Sequence, residues 1–176
     1  MTGFLAAENA IRQLQARYVD AIWRKDYPSL ENCFTADAEW RLGGKVLRGR
    51  AEISGNQKRL EAHFRCELLT LGTPLLDVGD GTAFGRTYAY EHGVLADGKP
   101  LLAIGISFDR FVDQGDQWRF AWSAFQTHYF GPPDFSGTFI DNPDYGPHPA
   151  MPPRDAIPAA TSPTSKMSGV TAKNAR

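Results

Sequence analysis

The sequence has few cysteines, almost no net charge and no long apolar segment. Only two of its 176 residues are cysteine, so a disulfide framework is excluded and nothing indicates an oxidising compartment. Nineteen Lys and Arg face twenty Asp and Glu, which leaves no electrostatic basis for binding nucleic acid or an acidic surface. No stretch reaches the roughly 18 apolar residues of a membrane span, and the N-terminus lacks the basic start of a signal peptide. These absences predict a cytoplasmic protein without nucleic-acid or membrane partners.

Motifs for cofactors, metals and nucleophilic catalysis are also missing. The glycine-rich turn at 77–82 lacks both GxGxxG spacing and the acidic residue that closes a calcium loop, so it is interpreted as a hairpin turn. His63 and Cys66 form a lone H-x-x-C pair, too sparse for a metal site. There is no nucleophile elbow. The sequence therefore predicts no metal and no cofactor, and any chemistry must be acid–base chemistry on an activated substrate.

Aromatic residues, by contrast, are abundant at 12% of the chain, which predicts an aromatic-lined interior. The first clear pattern is a helix over residues 10–24, in which Ile11, Leu14 and Tyr18 recur with helical spacing on one face. Asp26 has the position of an N-cap, with a proline just inside the next turn, and predicts a second short helix to about residue 34.

Strand patterns follow from residue 39. The segment 39–42 alternates, Gly43-Gly44 suits a tight hairpin, and 45–48 returns. A third helix is predicted over 50–63. Further strands are predicted at 65–78 with a break at Gly72-Thr73-Pro74, at 83–92, at 101–112 and at 118–130. Three helices followed by long strands predict an α+β fold, a cone-shaped and mostly antiparallel sheet wrapped around the first helix, with a ligand site in the space between them.

Composition divides the chain into three parts. Residues 1–131 form the predicted α+β domain. Residues 132–155 are rich in proline and glycine but keep large apolar side chains, and predict an ordered arm whose segment from Phe135 to Tyr145 closes the cavity mouth. Residues 156–176 lack periodicity and predict a flexible tail.

Landmarks spread over residues 8–131 resemble the SnoaL-like branch of the nuclear-transport-factor-two-like superfamily. They are, in order, Lys25-Asp26, Leu30 with Phe34, Asp37 to Trp40, and Gly49 to Ile53. That branch includes scytalone dehydratase, lindane dehydrochlorinase, bile-acid dehydratases and a sphingomonad diarylpropane lyase. The resemblance implies the cone fold and, together with the apolar strand from Leu101 to Phe111, a homotrimer, or second a dimer, formed through the convex face of the sheet.

The chain departs from this family at the residues that carry its chemistry. The dehydratase and the dehydrochlorinase use an aspartate and a histidine, and the matching positions here are Trp23 and Thr70. An arginine of the dehydrochlorinase is matched by Ser123, and a lysine by Tyr18. Because indole and threonine cannot exchange protons near neutral pH as carboxylate and imidazole do, the Asp-His mechanism is not carried over.

The candidate site is therefore aromatic and hydroxylated. The expected substrate-binding residues are Trp23, Trp40, Leu42, Thr70, Ser123, Phe125, Thr127 and Phe135, although Trp40 and Phe125 also fit an ordinary core. The catalytic candidates are Tyr18 and one face of the predicted strand at 83–92: Arg86, Tyr88, Tyr90 and His92. If that face turns inward, it can polarise a substrate oxygen. If it turns outward, its residues are solvated or form a subunit interface.

These residues predict a cofactor-independent lyase for an aromatic small molecule, phenolic and possibly a diaryl lignin dimer. The reaction would be dehydration or retro-aldol-like deformylation through a quinone-methide-type intermediate, as part of aromatic compound catabolism. One alternative is a non-catalytic binding module for an apolar metabolite, which predicts a cavity without ionisable groups at its depth. Another is a steroid-type isomerase, which needs a carboxylate facing a tyrosine and for which Asp109 is the available strand acid.

Overall fold

Residues 2–140 are described by a computed structural model, in which three helices lie against a strongly curved sheet. The helices are α1 (Thr2–Arg24), α2 (Tyr27–Asn32) and α3 (Gly49–Glu61). The strands are β1 (Phe34–Leu42), β2 (Lys45–Arg48), β3 (Phe64–Leu71), β4 (Leu75–Val78), β5 (Thr82–Leu95), β6 (Pro100–Asp113), β7 (Trp118–Gly131) and β8 (Thr138–Phe139).

Helix α1 forms because its apolar residues recur on one face, and that face is the buried one. Ile11 and Leu14 are fully buried, whereas Arg12 and Arg17 are exposed on the opposite side. The helix begins at Thr2, eight residues before the predicted start. Asp26 caps α2 as predicted: its carboxylate accepts hydrogen bonds from the backbone N–H of Ser29 at 3.1 Å and from the Ser29 hydroxyl at 2.8 Å.

Strand β1 is longer than its sequence pattern predicts. Residues 35–38, expected to lie between the second helix and the strand, belong to the strand, but the pairing with β7 shifts register between Phe34 and Glu39. This irregularity explains why the segment does not show a strict two-residue period. At the other end, Gly43 and Gly44 both have positive φ, 57° and 77°, and close the predicted hairpin to β2.

The sheet has the strand order β2-β1-β7-β6-β5-β3, and β4 pairs with β5 while β8 pairs with β7. Of the pairs, only β1–β7 is parallel. The break at Gly72-Thr73-Pro74 separates β3 from β4, both of which pair with β5, as the proline predicts. The cone-shaped α+β architecture with α1 on the concave face of the sheet is therefore confirmed for the described residues.

The two faces of the sheet have different partners. On β5, Thr87 and Ala89 are buried on the concave face beneath α1, and Gln15 donates a hydrogen bond across to the Thr87 hydroxyl at 2.9 Å. Tyr88 and Tyr90 alternate with them on the convex face and are 49% and 43% exposed. No helix within residues 2–140 is long and apolar enough to cross a membrane.

Candidate functional site

A cavity of about 50 Å³ lies between α1 and the concave face of the sheet. Its lining residues come from α1 and from strands β1, β3, β5, β6 and β7: Gln15, Tyr18, Phe34, Trp40, Leu69, Leu71, Thr87, Ala89, Ser107, Asp109, Phe120, Ser123 and Phe125. This volume holds a few water-sized groups. One side of the cavity is aromatic and the other carries a carboxyl group with hydroxyls around it.

The aromatic side is a cluster of rings in contact with one another. The Tyr18 ring meets Phe34 and Phe120 edge to face, with centroids 6.1 and 5.5 Å apart. Phe34 in turn packs on Phe120 and Trp40, at 5.3 and 6.2 Å. Tyr18 reaches this cluster because it belongs to the buried stripe of α1. The cluster supplies flat apolar surface for an aromatic ligand.

Asp109 is the charged residue among those that line the cavity, and it is 1% exposed. The hydroxyls of Ser107 and Ser123 donate to its Oδ1 at 2.8 and 2.7 Å. Burial raises the pKa of the Asp109 carboxyl to about 6, and the two serine hydrogen bonds reduce this effect. Both serines bind Oδ1, so Oδ2 has no hydrogen bond from residues 2–140. A carboxyl group with a pKa near neutrality can take up and release a proton during a reaction.

Tyr18 provides a hydroxyl in the same cavity. Burial, and next the negative charge of Asp109, raises the pKa of the Tyr18 phenol well above its usual range, so the group stays protonated and can donate a hydrogen bond. Within the described chain this hydroxyl makes no hydrogen bond. Tyr18 and Asp109 thus offer a donor and a proton acceptor to one ligand.

Three glutamates extend the acidic character of the cone beyond the cavity. Glu91 lies two residues past Ala89 on the same face of β5, and burial, then the charge of Glu67, raises its pKa to about 7. Burial also raises the pKa of Glu67, which accepts a 3.2 Å hydrogen bond from Gln57. Glu61 on α3 accepts a 2.6 Å hydrogen bond from the Tyr27 hydroxyl.

A surface groove of about 560 Å³ runs along α1 beside β3 and shares Gln15, Leu69 and Leu71 with the cavity. Trp23 and Thr70 line this groove rather than the cavity. The Trp23 indole N–H donates to the Leu69 carbonyl at 2.9 Å, and its ring is 51% exposed. The positions at which family enzymes have aspartate and histidine therefore lie outside the inner cavity in this chain.

The structure brings together four of the sequence-predicted site residues: Tyr18, Trp40, Ser123 and Phe125 line the cavity. Leu42 packs against the main core, and Thr127 is half-buried and not among the lining residues. Phe135 packs on Tyr129 and Phe139, at ring distances of 5.2 and 6.3 Å, not on the cavity.

The predicted catalytic face of β5 turns outward. Arg86, Tyr88, Tyr90 and His92 lie on the convex face, separated from the cavity by the sheet, so the outward alternative is the observed one. Sequence reasoning assigned no role to Gln15, Thr87 or Ser107 and considered Asp109 only for the isomerase alternative. The sequence did offer a signal for Asp109, because it is an acidic residue within a largely apolar strand.

Comparisons with known proteins agree with this architecture. The sequence model of the SnoaL-like domain matches residues 4–122. A protein described provisionally as a scytalone dehydratase from Novosphingobium aromaticivorans has a TM-score of 0.71 at 18% identity, covering 82% of this chain and 97% of its own. A hexachlorocyclohexane dehydrochlorinase, LinA Type2, has a TM-score of 0.69 at 17% identity, with coverages of 80% and 96%.

A nuclear transport factor 2-like superfamily protein from Salmonella enterica has a TM-score of 0.66 at 17% identity and covers 70% of this chain and 92% of its own. At these identities the likeness concerns the fold. None of the curated proteins matches the chain.

Proposed function

We propose, from the premise that the chain belongs to the SnoaL-like domain family, that it is a cofactor-independent lyase acting on an aromatic, phenolic small molecule. The observation that carries the proposal is the buried Asp109 carboxyl, which shares one aromatic cavity with the Tyr18 hydroxyl. The names of two structural neighbours, a dehydratase and a dehydrochlorinase, both denote eliminations and support the reaction class.

The elimination uses Asp109 as the base. Its Oδ2 takes the proton of the substrate phenol, the phenolate electrons move through the ring, and the bond to a benzylic hydroxyl breaks. The leaving hydroxide takes up the proton that Asp109 removed from the phenol, passed on through water, and departs as water, so that Asp109 is ionised again and a quinone methide remains. Tyr18 donates a hydrogen bond to the oxygen on which negative charge develops.

A second step follows in a diaryl substrate that carries a primary hydroxyl. Loss of that hydroxyl proton lets the carbon–carbon bond break and releases formaldehyde. The two electrons of the broken bond restore the aromatic ring, and the phenolate takes up the proton. The chain needs only to hold the rings and move protons for this deformylation, which the aromatic cluster and Asp109 are suited to do.

The size of the cavity indicates where the substrate lies. A space of 50 Å³ is too small for two rings, whereas the adjoining groove of 560 Å³ is within the range of ligand sites. Gln15 lines both spaces and donates its hydrogen bond to Thr87 of the cavity. We expect the reacting ring to enter the cavity when Gln15 moves, and the rest of the molecule to stay in the groove.

Two substitutions test the proposal with a phenolic diaryl alcohol as substrate. Asp109→Asn removes the base and Tyr18→Phe removes the donor, and each should lower kcat by about 10²–10⁴-fold, the usual effect of losing one acid–base group. Released formaldehyde and the absorbance of the conjugated product report turnover, and circular dichroism reports folding. Tyr88→Phe on the convex face is the matched control and should retain wild-type rates. Wild-type rates in both cavity variants would exclude this site.

One observation favours a second candidate function, a steroid-type isomerase. That reaction requires a carboxylate that moves a proton and a tyrosine that polarises a ketone, and Asp109 and Tyr18 meet this requirement in one cavity. An isomerase releases neither water nor formaldehyde, so conversion of a β,γ-unsaturated ketosteroid to its conjugated isomer, followed by absorbance, separates the two functions. The binding-module alternative predicted no ionisable group at the depth of the cavity, and Asp109 is contrary to it.

A further inference from the structure

The described residues that line the cavity include a negatively charged side chain and no positively charged one. Among the described residues that line the cavity, the ionisable ones are Tyr18 and Asp109, and none is Lys, Arg or His. A cleft lined by charge of one sign concentrates ligands of the opposite sign. The aromatic rings beside Asp109 act in the same direction, because the faces of aromatic rings attract cations.

The three glutamates continue this pattern toward α2 and α3. Glu91 follows Ala89 by two residues on the concave side of β5, roughly 7 Å along a strand. It pairs across the sheet with Leu69, another cavity residue, and Glu67 lies two residues before Leu69 on the same face of β3. Glu91 and Glu67 therefore stand directly beyond one end of the cavity.

Glu61 adds an independent observation. Only 5% of Glu61 is exposed to solvent. Its negative charge contributes to the raised pKa of Glu67. Its Oε2 accepts the hydrogen bond from Tyr27, whereas its Oε1 is buried and without a partner among residues 2–140. A buried carboxylate oxygen without a donor is costly, and a ligand that brings a donor would relieve that cost.

The groups around these glutamates supply little compensating charge. The positive charge of Lys25, just after α1, lowers the pKa of Glu67, but Lys25 is itself exposed. Gln57 of α3 donates a hydrogen bond to Glu67 and carries no charge. Lys58 of α3 is also exposed, and its ammonium group lies over the ring of Tyr27, 5.7 Å from the ring centroid. Within residues 2–140 no three His, Cys, Asp or Glu side chains are grouped so as to hold a metal ion.

We infer that the natural ligand is an aromatic molecule with a basic amine, whose ring occupies the cavity and whose ammonium group binds Glu91 and Glu67. An ammonium group suits this place because it brings three donors and needs no coordination shell. This inference rests on the proposed function and narrows its substrate class: the ring reaches Tyr18 and Asp109, while the amine fixes its direction. Carboxylate-bearing aromatic compounds are excluded by repulsion.

Three small probes of similar size test the charge preference directly: 2-phenylethylamine, 2-phenylethanol and phenylacetate. By calorimetry at pH 8, the wild-type protein should bind the amine at least about tenfold more tightly than the alcohol, and phenylacetate most weakly. Lowering the pH to 5 should remove the preference, because Glu91, with its pKa of about 7, becomes neutral while the amine stays charged. Equal affinities for amine and alcohol at pH 8 would overturn the inference.

Variants locate the amine. Glu91→Gln should reduce the amine preference about tenfold and leave affinity for the alcohol unchanged, and Glu67→Gln provides the same test if the first variant does not fold. Asp37→Asn, at an exposed acid of β1 that does not line the cavity, is the matched control and should retain the preference. A preference that survives both glutamine variants would overturn the site. These experiments measure binding and do not depend on turnover. If the protein binds the amine but does not convert phenolic alcohols, the proposed lyase function is wrong and the amine site stands.

Discussion

At the scale of single residues, the contact between α1 and β5 decides which side chains of β5 face the cavity. The alternation of β5 predicted its two faces, but a two-residue period cannot tell which face is inside. The structure places Thr87 and Ala89 inward because Gln15 of α1 bonds Thr87 directly, and that close approach leaves room only for small side chains. Tyr88 and Tyr90 must then face outward. Tyr18 was predictable because a helical stripe has a single buried face.

Asp109 was harder to predict. Strand β6 is apolar on both sides, so its sequence does not show which side faces the helix, and the serines that bind Asp109 come partly from another strand. Its environment also gives it a property that can be measured. Because burial raises the pKa of this carboxyl from 3.8 to about 6, the folded protein binds its proton more tightly than the unfolded chain does.

The sign of the resulting pH dependence follows from this difference. Below about pH 4 the carboxyl is protonated in both states, and its contribution to stability is fully present. As the pH rises from about 4 to about 6, the unfolded chain loses the proton first, and on the order of 3 kcal/mol of unfolding free energy is lost. Asp109→Asn, which keeps an oxygen for both serines, should lack this loss.

Urea unfolding of both proteins at pH 4 and pH 7 measures the difference. Glu91 is present in both, so its own loss of stability with rising pH cancels in the comparison. The variant should gain stability relative to the wild type as the pH rises. A difference in unfolding free energy that does not change with pH would show that the Asp109 carboxyl titrates normally.

At the scale of secondary structure elements, turn chemistry was the most reliable guide. Gly43-Gly44, the Asp26 cap and the break before Pro74 all fall where the sequence predicts them. The irregular part of β1 was missed because its pairing with β7 shifts register, which no local period reveals. The beginning of α1 was missed because its first turns carry no strong apolar stripe or cap.

The arm after β7 is an element whose role stays a prediction. Residues 132–140 fold back on β7: Ile140 N–H donates to the His128 carbonyl at 2.8 Å, and the Phe139 ring lies 4.8 Å from Tyr129. Gly137 N–H also donates to the Tyr129 hydroxyl at 2.9 Å. This part anchors the arm, whereas the predicted lid extends to Tyr145 and lies partly outside the described residues, as does the predicted tail from 156.

Three truncated chains separate anchor, lid and tail. A chain that ends after residue 155 should retain activity. One that ends after residue 140 should keep its melting temperature but bind ligand more weakly, because the remaining lid segment is removed. One that ends after Gly131 should also melt at a lower temperature, because Tyr129 loses the rings packed on it and its hydrogen bonds to the arm. Unchanged ligand affinity in the two shorter chains would argue against a lid.

At the scale of the whole molecule, the convex face of the sheet has exposed aromatic side chains that nothing within residues 2–140 covers. Phe84, Tyr88 and Tyr90 are 40%, 49% and 43% exposed there, above a buried cluster that contains Phe108 and Trp122. Monomeric proteins seldom expose an apolar patch of this kind unless it is an interface. The apolar composition of β6 predicted a subunit contact at this face, and the outward tyrosines would supply contact residues for it.

Polar atoms on the same face support a contact between copies of the chain, for which the family resemblance predicts a homotrimer and, second, a dimer. Arg110 Nε and Gln126 Oε1 are buried and without a hydrogen-bond partner among residues 2–140, and both belong to strand positions that face the convex side. A second copy of the chain can supply their partners and cover the aromatic rings.

Light scattering at micromolar concentration should therefore give three times the mass of one chain. The double variant Tyr88→Glu/Tyr90→Glu should give a monomer with an unchanged circular dichroism spectrum, because charged side chains resist burial at an interface. Leu5→Glu, at an exposed apolar position on α1, is the matched control and should remain assembled. A wild-type monomer, or a double variant that assembles as the wild type does, would show that the convex face has another role.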